Sequence, residues 1–134
     1  MTTRRFSSAL LATGLLAAVL AASAWAAGNV IRISTPRHAT ANHNYSIGFR
    51  GHANTTEHLY MFVDAHACGA NPAIEHARAN GDIWTVKGNF HVVAKGWHGP
   101  ASKQHVCAYL VKFSEPENSP NGVLAHRFKG FIVH

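Results

Sequence analysis

From Val30 onward, apolar residues come in short runs that alternate with polar ones, and glycine, proline, asparagine and serine separate the runs. Alternation at period two puts every second side chain on one face of an extended chain, so each run reads as a half-buried strand. Seven such segments stand out: Val30 to Ser34, Tyr45 to Ala53, His58 to Ala65, Ile83 to Lys87, Phe90 to Lys95, Gln104 to Phe113 and Val123 to Val133. Residue choice agrees with this. Beyond Ala26 there are 15 Val plus Ile but three Leu (Leu59, Leu110 and Leu124), and β-branched side chains suit a pleated surface better than a helical one. The pattern changes once. Asn71 suits a helix N-cap, Pro72 its first position, and Ala73 to Ala79 holds good helix formers before Asn80-Gly81 stops them, which predicts one short surface helix. Pro36, Gly69, Gly96 and Gly99-Pro100 mark loops, and Ser114 to Gly122 predicts an acidic, mobile connection between the last two strands.

The front of the chain follows neither period. Ala9 to Ala26 is apolar at 15 of 18 positions, Arg4 and Arg5 precede it, and Ala24-Trp25-Ala26 has the small-x-small form of a signal-peptidase site. Residues 1–26 therefore read as a cleaved signal peptide, with an uncleaved anchor as the alternative. The two arginines fit the general export route or the twin-arginine route. Residues 27–134 are left as one small domain, expected to be secreted or held in the cell envelope, with no transmembrane segment after cleavage. Of the formal charge of +6, Arg4 and Arg5 carry two, so the domain carries +4. Its cations stand singly, unlike a nucleic-acid arm or a polybasic anchor, so no specific nucleic-acid partner is expected.

Cys68 and Cys107 are an even pair in an exported chain, which favours a disulfide. Closing a loop of that length stabilises by roughly 4 kcal/mol on the chain-entropy model. Seven short strands and a bridge between a middle strand and the penultimate one predict an all-β, two-sheet sandwich. The stretch Leu59-Tyr60-Met61-Phe62-Val63-Asp64 with Cys68, the Ala-rich helix Pro72 to Ala79, and Val106-Cys107-Ala108-Tyr109-Leu110 resemble an uncharacterised group of secreted bacterial immunoglobulin-like β-sandwich domains. The resemblance covers nearly the whole of residues 27–134 and implies an immunoglobulin-like fold and an extracellular address, with no established activity. It departs from antibody-type packing, since no buried Trp beside the bridge can be assigned, and Gln104 or His105 stands where a tyrosine corner is expected.

All 11 histidines lie in residues 27–134. His66 and His105 each stand two residues before a cysteine, so on an extended chain each imidazole shares a face with a sulfur. If both cysteines were reduced, two His and two Cys would suit tetrahedral zinc; if they pair, the histidines flank a bridge. The remaining nine imidazoles (His38, His43, His52, His58, His76, His91, His98, His126, His134) show no H-x-H or H-E-x-x-H spacing. No cofactor motif is present. A histidine population titrating near about pH 6.5 carries the charge from +4 toward about +15 between pH 8 and pH 5, which predicts tighter binding to anionic polymers or lipids in acid.

Asp64 with His66, or Glu75 with His76, supplies acid and base, and Ser34, Ser46, Ser102, Ser114 and Ser119 supply hydroxyls, but none lies in a nucleophile elbow. With six carboxylates in the chain, two-carboxylate glycosidase chemistry is poorly supplied, and no enzyme is expected. Trp84 belongs to a strand. Trp97, in a glycine-flanked loop with Lys95, His98 and Lys103, is the binding candidate, set against a Trp folded back over the core. The expected function is a non-enzymatic binding or envelope-interaction module for an extracellular protein, glycan or anionic polymer. The alternative is a histidine-rich metal-binding or pH-responsive protein.

Overall fold

The computed structural model describes residues 28–134, so the signal peptide expected at residues 1–26 lies outside the described residues. Five strands form one antiparallel sheet: β1 (Val30–Ser34), β2 (Tyr45–Asp64), β3 (Asn80–Trp97), β4 (Ser102–Lys112) and β5 (Val123–Val133). A five-residue helix, α1 (Pro72–His76), lies between β2 and β3. All-β is the class expected, but seven segments have become five strands. Tyr45 to Ala53 fuses with His58 to Ala65, and Ile83 to Lys87 fuses with Phe90 to Lys95.

The reason lies in the breaks. Asn54-Thr55-Thr56 on β2 and Gly88 on β3 read as turns, yet the two strands stay paired through a bulge: Ala53 pairs with Gly88, and the next pair is Glu57 with Val86. Three residues of β2 thus oppose the single Lys87 of β3. Gly88 takes a φ of 64°, which glycine adopts without steric cost. A bulge keeps the chain direction while bending the sheet.

Because of the bend, β2 serves two neighbourhoods. Its first half pairs with β1 and β3, its second half with β3 and β4, and β4 carries β5. The sheet curls until its far strands meet. Tyr45 at the start of β2 packs edge-on against Phe131 of β5, with ring centres 5.4 Å apart. Lys129 Nζ on β5 donates to the Ile33 carbonyl on β1 at 3.3 Å, and Ala39 bridges to Val133. Inside the curl lie Ile47, Phe49, Leu59, Met61, Val106, Ala108 and Leu110, all fully buried. Each large apolar side chain so buried is worth about 1.5–3 kcal/mol over leaving it in water. Trp84 of β3 packs half-buried against Phe49.

A second, smaller cluster sits on the outer face of β2 and β4: Tyr60, Phe62, Cys107, Tyr109 and Val111. The connection from β2 to β3, with α1, covers it. The expected disulfide Cys68–Cys107 is present, with Cα atoms 5.6 Å apart. Cys68, however, lies in the connection and not on a strand. The bridge therefore fastens the connection to the outside of β4, where Cys107 belongs to the outer cluster. Asn71 caps α1 as expected, its side chain accepting from the Ile74 N–H at 3.2 Å. The helix stops at His76 rather than Ala79, because residues 77–79 turn to deliver Asn80 opposite Val63 at the start of β3.

The connection 114–122 is pinned by several contacts. Ser119 is buried and donates to Glu115 Oε2 at 3.0 Å, and the Asn118 N–H donates to Tyr60 Oη at 3.2 Å. Two alternatives to water thus hold a segment whose composition reads as mobile. Among the described residues, no helix is long and apolar enough to cross a membrane.

The disulfide closes a separation of 39 residues, so the double variant Cys68→Ala/Cys107→Ala should lose about 4 kcal/mol of unfolding free energy. Denaturant titration of oxidised protein and variant measures this directly.

Candidate functional site

The sheet register assembles a row of cations. Arg32 of β1 pairs with Arg50 of β2, and Arg50 pairs with His91 of β3. Direct partners on neighbouring antiparallel strands point to the same face, about 5 Å apart. Alternation sets that face outward, since Ile31, Ile47 and Phe49 are buried while Arg32, Arg50 and His91 are exposed. Lys95, two pairs beyond His91 on β3, is exposed too. Among the described residues, the ion pairs join Asp64 and Glu75 to His66 and Arg78, so Arg32 and Arg50 have no carboxylate partner. Like charges directly opposite each other on a sheet are destabilising.

The next row is Ser34, Gly48 and Val93. With no side chain at Gly48, the two rows enclose a groove of about 430 Å³ whose lining holds Arg32, Arg50 and His91 and no carboxylate. The seam between β1 and β5 continues it, because Arg32 and Ile33 line both, and on the β5 side the seam carries Arg127 and Lys129. Charge is segregated along the whole domain. The six carboxylates are Glu57, Asp64, Glu75, Asp82, Glu115 and Glu117, so residues 28–56, 83–114 and 118–134 carry none. Glu57, Asp64 and Glu75 are buried, which leaves Asp82 and Glu117, lining a separate groove near His76 and Tyr60, as the exposed acids together with the partly covered Glu115.

The buried acids Asp64 and Glu75 hold the disulfide-bonded connection in place. Asp64 Oδ1 accepts from the His66 N–H at 2.8 Å and lies 3.1 Å from His66 Nδ1, while Arg78 Nε stands 2.8 Å from Oδ2. Glu75 Oε1 accepts from the Gly69 N–H at 2.6 Å and from Arg78 Nη2 at 3.0 Å. Tyr109 donates to the Gly69 carbonyl at 2.6 Å. The two carboxyl groups flank the same guanidinium and act on each other's ionisation. Burial pushes Glu75 above its ordinary 4.5, and the neighbouring Asp64 reinforces this against the pull of Gly69 and Arg78. Burial also opposes ionisation of Asp64, but the His66 N–H and side chain, the neighbouring Glu75 and the charge of Arg78 together carry it below its ordinary 3.8. The arrangement is a pair of buried carboxyl groups under one guanidinium, with its groups turned onto the connection.

The residues singled out by sequence are dispersed. Trp97 ends β3 opposite Tyr45 and is half-buried against the core. Lys95, His98 and Lys103 are exposed, with Lys95 on the face of His91 and Lys103 on β4 opposite Ile132. His66 is exposed beside Asp64, and His105 is half-buried opposite Asp64 on β4. A zinc site built on Cys68 and Cys107 is corrected by the disulfide, which leaves neither sulfur as a thiolate. Among the described residues, no group of three or more His, Cys, Asp or Glu is placed to hold a metal ion. Arg32, Arg50 and His91 escape sequence reading because only the register aligns them; the carboxylate-free stretches around them were the available signal. No protein-family model and no curated protein matches this chain.

A raised carboxyl contributes stability that is complete below its ordinary pKa and is lost as the pH rises through the displaced one. Glu75→Gln keeps an acceptor for the Gly69 N–H without the titration. Its unfolding free energy, measured between pH 4.5 and pH 8, should fall less with rising pH than that of the parent.

Proposed function

We propose that the chain is a secreted, non-enzymatic binding module of the cell envelope whose ligand is an anionic polymer. The observation that carries this reading is the exposed Arg32–Arg50–His91 row, with no carboxylate in the groove it lines. Unpaired like charges held on a rigid sheet cost stability in the free protein and recover it when an anion sits over them. Guanidinium groups suit this role because each offers a planar fork of donors to a carboxylate, sulfate or phosphate.

The remaining features are read in the same light. Signal cleavage after Ala26 and an extracytoplasmic address are supported by the apolar leader in the sequence and by the disulfide. Kinship with immunoglobulin-like sandwiches for residues 27–134 is supported by two halves of a bent sheet closing over one core. The position of the disulfide on the outer face departs from that plan. The pH-responsive reading is supported by His91, which meets Arg50 across the strand and shares its face with Lys95.

Arg50→Ala separates ligand binding from folding. It should lower the salt concentration that elutes the protein from immobilised heparin while leaving its unfolding free energy undiminished, or higher by about 0.2–1 kcal/mol once the cross-strand repulsion is gone. Retention at equal salt should be stronger at pH 5.5 than at pH 7.5, as expected of a domain that carries all 11 histidines. Equal retention of parent and Arg50→Ala would remove the row from the binding surface.

A further inference from the structure

We propose that the groove takes a linear acidic polysaccharide, laid across β3, β2 and β1 with successive charged sugars over successive strands. The inference deepens the anionic-polymer reading and rests on it. Its basis is the path of the cations. They do not follow one strand but step across the sheet, from His91 on β3 to Arg50 on β2 to Arg32 on β1, and the seam beyond Arg32 is lined by Arg127 and Lys129 of β5. Hydrogen-bonded strands lie about 5 Å apart, and a pyranose chain advances by nearly that spacing per sugar, so one acidic group meets each of β3, β2 and β1.

The floor of the groove fits a sugar ring. Gly48 offers bare backbone, Val93 on one side is 44% exposed and presents an apolar surface to ring C–H groups, and Ser34 on the other supplies a hydroxyl. Competing polyanions fit less well. The groove lining contains no Phe, Tyr or Trp, and its one ring is the His91 imidazole, so it provides no succession of rings on which the bases of a single strand could stack. The cations lie across the face of a broad sheet and not on a protruding helix or two-stranded ribbon that could enter a duplex groove. Val30 and Val93 are modest apolar groups for a surface that must dip into a bilayer, where larger side chains do the anchoring.

Gly48→Val tests the groove without touching charge. A Cβ at this position meets Ser34 Cβ at 3.5 Å, which is ordinary contact, and the backbone there needs no positive φ, so the variant should fold with an unchanged melting temperature. Calorimetric titration of the purified protein with heparin and polyuronate oligosaccharides of two to eight sugars should show affinity rising steeply to about three or four sugars and then levelling, as the three strands are filled. Arg32→Ala, Arg50→Ala and Gly48→Val should each weaken the longer oligosaccharides by about tenfold or more, the loss expected of one charge-assisted contact, with Gly48→Val leaving retention on a plain cation exchanger unchanged. Sulfated and uronate oligomers separate the two sources of anionic oxygen, and both should bind. Duplex DNA or phosphatidylglycerol vesicles binding as tightly at equal charge, or a Gly48→Val protein binding like the parent, would overturn the polysaccharide assignment while leaving the anionic-polymer reading intact. Failure of every polyanion to bind at low salt would remove both.

Discussion

The two extra residues of β2 opposite Lys87, next to Gly88, are the constraint on which the rest of the molecule depends. A 20-residue strand paired flatly along its length would leave one face of the sheet in water. The excess at Asn54 to Thr56 bends both long strands, so the face carrying Ile47, Phe49, Leu59 and Met61 closes on itself. Tyr45 then reaches Phe131, and β5 comes beside β1. A small domain gains an enclosed core from one sheet, without a second layer, because the bend supplies the curvature that covering helices would otherwise make unnecessary.

The bend also divides the chemistry. The half of the sheet built from β1 and the adjoining parts of β2 and β3 carries exposed cations without acids. The half built around β4 carries the buried acids, the disulfide and the connection they secure. The acid cluster and the cationic row play opposite roles. Asp64 and Glu75 each pair with Arg78 at short range and fix a segment that has little apolar surface of its own. Arg32 and Arg50 are left facing each other, and a surface that accepts such a cost is suited to meeting an anion.

Much of the strand content was legible, because alternation at period two and the β-branched excess act locally. Asn71 and Pro72 announced the helix start for the same reason. Bulges were misread as turns since Asn-Thr-Thr and Gly-Asn are chemically suited to either, and the distinction depends on whether a partner strand continues alongside. The connection 114–122 read as mobile from its prolines and acids, whereas its hydrogen bonds to Tyr60 and within itself come from a distant strand and a buried serine. Trp97 read as a loop residue because Gly96 precedes it, and pairing with Tyr45 draws it onto the core instead.

By itself the sequence determined the all-β class, the pairing of two cysteines, the cap of α1 and a domain rich in histidine and poor in acid. These follow from composition, short-range periodicity and backbone preference, which need no knowledge of distant neighbours. Tertiary structure alone decided that seven segments are five strands, that the disulfide lies outside the core, and that Arg32, Arg50 and His91 stand in one row. Register couples residues tens of positions apart, and a shift of one residue would turn every one of those side chains to the other face.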